Sequence, residues 1–220
     1  MVVTEVAAIP LKGGLNIKDT SSPAGKSWLQ IYETTSSQPG FRKMYWGTEV
    51  HSPNMLWLFV EWANLEDHER FVASAFNTIV DGPSTVFHAN LTPNSLSDFP
   101  HDKGVATEIF IQYFPADYSD SDMFTVENAI KPIARLFEQT RRSGACMSTS
   151  GWILEDLLTP EGAPEAGQKA KAFLAFMAWD SVEAHLRFQN TETFRACIPQ
   201  FANVKGLRHS DLVYVHCETL

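Results

Sequence analysis

Cysteine is scarce: three in 220 residues, Cys146, Cys197 and Cys217, odd in number, widely spaced and without a CxxC pair. That pattern excludes a disulfide-stapled scaffold, and the three read as free thiols in a reducing compartment. Basic residues are outnumbered, with 17 Lys and Arg against 26 Asp and Glu and a net charge of −9. Such a chain repels a phosphate backbone, so nucleic acid is not an expected partner. No apolar run approaches the ~20 residues of a membrane helix. The opening MVVTEVAAIPLKGG lacks the basic-then-apolar pattern of a leader. A cytoplasmic protein with no membrane partner is the expectation. GxSxG, HExxH, GxGxxG and EF-hand loops are all missing. The segment Thr20–Ser27 (TSSPAGKS) resembles the end of a phosphate-binding loop, but it lacks the first glycine and a buried strand before it.

What is present is a 44% hydrophobic fraction with 15 Phe and 6 Trp, enough for a sizeable core. The chain also repeats itself. WANLEDHERF (62–71) and WDSVEAHLRF (179–188) share W-x-x-x-E-x-H-x-R-F, five identities in ten at an offset of 117. Each follows an apolar run, MLWLFV (55–60) and AFLAFMA (172–178). VTEVAAIPL (3–11) resembles ATEIFIQYF (106–114), and WGTE (46–49) matches WILE (152–155). The extra length of the second copy falls in TPEGAPEAGQ (159–168), and TPNSLSDFPHDKG (92–104) reads as the linker. The expected organisation is a first repeat over 1–91, a linker over 92–104 and a second repeat over 105–220.

Periodicity gives both copies one element order. In the second, 105–114 reads as a strand. Asp120 and Ser121 then cap a helix with the apolar stripe Met123, Val126, Ile130, Ile133 and Phe137. Arg141 and Arg142 suit that helix's C-terminal end, and Gly144 the left-handed turn after it. Strands at 147–156 and 170–178 follow. A helix capped by Asp180 with Glu183 comes next, interrupted near Asn190, and the strand 211–217 is last. In the first copy strands are expected at 2–10, 41–50, 54–61 and 84–91. Helices fall at about 22–36, with Ser22-Pro23 at its start, and 65–80. The order β-α-β-β-α-β, twice, implies an α+β fold of tandem ferredoxin-like repeats, each a four-stranded antiparallel sheet with helices on one face. The apolar third strands do not alternate and should be buried on both sides. The two sheets are therefore expected to pack face to face as an intrachain α/β barrel.

The apolar strand, the W-x-x-x-E-x-H-x-R-F segment and this element order resemble the dimeric α/β-barrel superfamily. Within it they are most similar to antibiotic-biosynthesis-monooxygenase-like proteins of fungal type. The resemblance implies a pseudo-dimeric monomer or a homodimer. The superfamily spans cofactor-free quinone-forming monooxygenases, polyketide cyclases, isomerases, haem proteins and stress proteins, so it implies a fold more than a reaction.

The chemistry-bearing residues are histidines and aromatics. His68 and His185 occupy the same place in each copy, three residues before Phe71 and Phe188, which turns them toward the sheet. They read either as packing histidines or as bases in a cavity between helices and sheet. His88 and His216 lie on the last strands, His209 just before the final one, and His51 and His101 in turn-rich segments. Glu5 and Glu108, on the first strands, could be exposed or functional. No metal-ligand spacing occurs, and no resident cofactor is expected; haem, which needs one axial His in an apolar cavity, stays open.

The resulting expectation is an enzyme, an oxidoreductase or a cyclase/isomerase of natural-product biosynthesis. It would remove a proton from a small apolar or aromatic, enolisable or phenolic metabolite. His185 and His216 are the candidate bases. Tyr113, Trp152, Tyr214 and His209 are the candidate substrate contacts. The loop 157–169 is expected at the pocket mouth. The competing reading is a non-catalytic, ligand-binding or stress-associated barrel.

Overall fold

The computed structural model describes residues 2–69, 78–93, 95–100, 104–140 and 144–219. The chain divides into two compact units, one of residues up to Asn90 together with those from Val215, the other of Leu91–Tyr214.

In the first unit the order is β1 (Val3–Pro10), α1 (Pro23–Ser36), β2 (Phe41–Thr48), β3 (Met55–Trp62), α2 (Leu65–Glu69) and β4 (Thr85–Ala89). The antiparallel sheet runs β2-β3-β1-β4. Ser22 caps α1, accepting from the Gly25 amide, with Pro23 in the first turn as expected. Gly25 is sterically required, since a Cβ there would lie 2.0 Å from the Asp19 carbonyl oxygen. Trp28 and Ile31 of α1 bury against Trp46, Leu58 and Trp62 of the sheet. Of the helix expected over 65–80, residues 70–77 lie outside the described residues, as do His101, Arg141 and Arg142.

The second unit contains β5 (Ala106–Pro115), α3 (Asp120–Gln139), β6 (Ala145–Trp152), β7 (Leu157–Leu158), β8 (Lys169–Trp179), α4 (Val182–Gln189), α5 (Glu192–Ala202) and β9 (His209–Val215). Its sheet runs β6-β8-β5-β9, with β7 pairing to β8. The tandem ferredoxin-like, α+β reading therefore holds, with two corrections. The second sheet has five strands, because the loop after β6 folds back as β7 onto the start of β8. Each sheet taken by itself is also an open ladder and not a closed barrel among the described residues.

Local signals mostly act as expected. Val126, Ile130, Ile133 and Phe137 of α3 are buried, and Gly144 takes φ 75°. The caps shift by one residue: Ser119, not Asp120, caps α3, and Ser181, not Asp180, caps α4. In each case a serine hydroxyl reaches the amide three residues on. The helix break near Asn190 is real: Asn190 ends α4 and Thr191 caps α5. Within 92–104, Thr92 exchanges backbone hydrogen bonds with Ser150, and Leu96 and Phe99 are buried.

Strand β3 is buried from Leu56 to Trp62, as a continuous apolar run requires. Strand β8 departs from that expectation, with Lys171, Ala175 and Met177 only half-buried. Ala175 and Met177 face a cavity. Among the described residues no helix is long and apolar enough to cross a membrane, and the cysteines form no disulfide.

Candidate active site

Alternation along β5 puts Glu108, Phe110 and Gln112 on one face and Ile109, Ile111 and Tyr113 on the other. The first face meets the helices, for Gln112 donates to the Phe201 carbonyl of α5 at 2.9 Å. The register carries this face across the sheet. Glu108 pairs with Met177 and Phe110 with Ala175, while Ser148 pairs with Met177 and Ser150 with Ala175. Between this floor and helices α3, α4 and α5 lies a cavity of about 340 Å³. Its walls are mainly apolar, including Phe110, Phe137, Phe176, Phe194 and Phe201.

At one end of the cavity four side chains meet. Capping by Ser181 sets the phase of α4, which buries Val182, Ala184, His185 and Phe188. The His185 ring stacks on Trp179, centroids 4.2 Å apart and planes within 7°. Trp179 Nε1–H donates to Glu108 Oε2 at 2.6 Å. The same oxygen lies 3.1 Å from His185 Nδ1. Tyr214 Oη approaches that nitrogen to 2.6 Å. On the ring's other side Gln189 Nε2 sits 3.3 Å from His185 Nε2. Glu108, Trp179, His185 and Gln189 all line the cavity.

Burial governs the proton chemistry. It pushes the Glu108 carboxyl up to about 7, against the opposing pull of the Trp179 hydrogen bond. It pushes His185 down to about 4. Burial first, then the charge of Glu108, raises Tyr214 above the ordinary tyrosine value. Near neutral pH the imidazole is uncharged, the phenol keeps its proton, and the carboxyl sits close to its midpoint. With the Gln189 amide nitrogen facing Nε2, the imidazole proton belongs on Nδ1, directed at Glu108.

The structure thus brings together His185 and Tyr214 of the residues expected from sequence, and separates the others from them. β9 ends at Val215 and His216 is exposed beyond it. The two-residue alternation that would have set His216 beside Tyr214 therefore stops one residue short. Tyr113 points from the opposite face of β5, where its ring packs on His209 at 5.8 Å; burial and then Asp211 raise its pKa. His209 is held by Asp211 at 2.7 Å. Trp152 shares the cavity's face of the sheet but lies beyond Ser150. It packs on Phe114, Tyr118 and Phe173 in a neighbouring cluster. None of these four lines the cavity. Neither does any residue of 157–169, since β7 anchors that segment at the far end of β8.

Sequence reading quoted Trp179 in the repeat but paired neither it nor Glu108 with His185, and it passed over Gln189. The repeat held the signal. The first unit carries the same three residues with the imidazole turned the other way: Trp62 Nε1–H donates to Glu5 Oε2 at 2.8 Å, and His68 Nε2, not Nδ1, lies 3.3 Å from that oxygen. His88, paired across strands with Glu5, contacts His68 Nδ1 at 2.8 Å. Glu5, Trp62 and His68 match Glu108, Trp179 and His185 in the sequence repeat, and His88 stands where the second unit has Tyr214. Among the described residues no group of three or more His, Cys, Asp or Glu is arranged to hold a metal ion.

No protein-family model matches the chain, and no curated protein matches it. Solved structures do. An anthrone oxidase-like protein is 16% identical, with 99% of this chain and 93% of that one covered at a TM-score of 0.62. A Fusobacterium nucleatum protein provisionally called a monooxygenase is 10% identical over 99% of this chain and 94% of its own, with a TM-score of 0.62. A Lactobacillus acidophilus protein with the same provisional name is 10% identical over 97% and 92%, with a TM-score of 0.58. The likeness shows the fold, the tandem ferredoxin-like arrangement implied by the sequence resemblance to antibiotic-biosynthesis-monooxygenase-like proteins.

Proposed function

We propose that the cavity of the second unit is the active site of a cofactor-independent, monooxygenase-type enzyme acting on an apolar aromatic substrate with an acidic C–H or phenolic proton. The observation that carries this reading is the Glu108–His185 pair, buried at the end of an apolar cavity with its acidities inverted.

The inversion suggests a route for the proton. His185 Nε2 accepts the substrate proton as Nδ1–H passes to Glu108. The imidazole stays neutral throughout, and the proton ends on the group with the higher affinity. An imidazolium, disfavoured by burial, never forms. Trp179 holds Glu108 in place, and the Tyr214 hydroxyl can donate to Nδ1 once that nitrogen has passed its proton to Glu108. Gln189, at 3.3 Å, is a weak partner that a substrate atom can displace.

The substrate anion then transfers electrons to O2. Addition of O2 and loss of water converts an activated CH2 to C=O, with the second oxygen atom leaving as water. The names of the neighbours, anthrone oxidase-like and monooxygenase, favour this fate over cyclisation or isomerisation of the same anion.

The test is oxygen uptake and quinone absorbance with 9(10H)-anthrone as probe, for the wild type and Glu108→Gln. Uptake well above the protein-free rate and lost in the variant is expected. Proton exchange at the activated CH2 without oxygen uptake would move the reading to a cyclase or isomerase. Binding without either reaction would leave a ligand-binding protein.

A further inference from the structure

The charged residues around the cavity are few and segregated. Glu108 is the acidic one, at the end formed by β5, β8 and α4; Lys131 and Arg135 are the basic ones, one turn apart on α3. Arg135 is exposed, which puts it on the open side. Lys131 is half-buried and reaches Glu127 at 2.9 Å. In a chain of net charge −9, Arg135 with Lys131, the latter shared with Glu127, puts positive charge on one wall of an apolar cavity.

A second observation lies on the floor below α3. Ser150 is only 6% exposed and lines the cavity. Its backbone is satisfied by Thr92, and its side chain is the part that faces the cavity, where a hydroxyl can donate to a ligand's polar atom. The register sets its distance from the acid–base cluster. Glu108 and Ser150 are two strands apart and offset by two residues along β8. At ~4.8 Å between strands and two residues along the strand, their backbones are roughly 12 Å apart.

We propose that the substrate carries a carboxylate at the end remote from the reacting carbon. Arg135 and Lys131 would hold it, and the Ser150 hydroxyl would donate to it. This rests on the reading of the cavity as the active site and names the substrate class for it: a flat, fused-ring aromatic acid that spans the floor. The arrangement also fixes direction. A carboxylate turned toward Glu108 would meet a buried acid, whereas turned toward α3 it meets two cations. The acidic C–H is thereby delivered to His185.

Calorimetric titration with anthracene-2-carboxylate and anthracene-2-carboxamide tests this, since the two differ in charge and little in shape. The wild type is expected to bind the acid at least tenfold more tightly than the amide. Arg135→Gln with Lys131→Gln should erase that difference while leaving amide affinity within about twofold. Ser150→Ala should weaken the acid severalfold. Glu108→Gln should keep the preference for the acid although it loses turnover. Equal affinity for both probes in the wild type, or a preference that survives loss of both cations, overturns the proposal and leaves the active-site reading intact. If neither probe binds while anthrone is turned over, the proposal fails and the active-site reading stands; if anthrone is not turned over either, the reading itself fails.

Discussion

Glu108 lies 3.1 Å from His185 with the usual acidity order of the two side chains reversed, the carboxyl titrating near 7 and the imidazole near 4. Proton-counting follows from that reversal. Between the ordinary values of 4.5 for Glu and 6.5 for His, the folded pair holds one proton, on Glu108. The unfolded pair also holds one, on His185. Stability from this pair is therefore flat across that window.

Removing one partner should expose the slope of the other. Glu108 has a raised folded pKa, so its contribution is complete below about 4.5 and is lost as pH rises through about 7. His185 has a lowered one, so its contribution is complete above about 6.5 and is lost as pH falls through about 4. His185→Gln should thus lose stability on going from pH 4.5 to 7, and Glu108→Gln should gain it from pH 4 to 6.5. Each change is on the order of 3 kcal/mol. Urea melts across this range decide it, and parallel curves for both variants and the wild type would contradict the assignment.

Turnover should depend on both members. Glu108→Gln and His185→Gln keep size and hydrogen bonding but cannot hold the transferred proton, and each should cost about 10²–10⁴-fold in kcat. His216→Gln, at an exposed site outside the cavity, should leave kcat unchanged. His68→Gln, the equivalent change in the first unit, separates a packing role from a chemical one. Loss of stability with normal turnover per folded molecule is the expected result.

Trp179→Phe should shift the pH–rate profile toward alkaline pH. The indole N–H hydrogen bond lowers the Glu108 pKa. Without it burial acts unopposed, and the carboxylate form appears at higher pH. The pH dependence of kcat/KM checks this, and an acid shift would argue against Glu108 as the proton acceptor.

Gly25→Ala should destabilise the first unit by about 2–4 kcal/mol, because the new methyl would overlap the Asp19 carbonyl oxygen at the entry to α1. Thermal melts should show the loss, while probe binding in the second unit per folded molecule stays the same.

The repeat made the fold legible. Two matching Trp–Glu–His–Phe segments fixed the position of two strand–helix junctions, and the 3.6-residue stripe from Val126 to Phe137 fixed the largest helix. Placement of the site was harder. His185 was legible because helical spacing turned it inward. Glu108 was not paired with it because strands β5 and β8 are far apart in sequence, and only their register brings residues 108, 179 and 185 together. His216 was misplaced by assuming that the last strand ran two residues further than it does. The 157–169 segment suggested a lid by its length. Length alone did not reveal that it returns to the opposite end of β8.

The exchange of Tyr214 for His88 between two clusters that share Glu, Trp and His bears on how such a site can change over generations. An assembly of two identical subunits must accept every substitution twice, once in each cluster, so a mutation that improves one site and harms its twin is never tested in one alone. Covalent linkage removes that constraint. Each copy of the Glu–Trp–His arrangement in this chain is a separate locus for drift, free to lose its phenol or gain an imidazole while the other stays as it was.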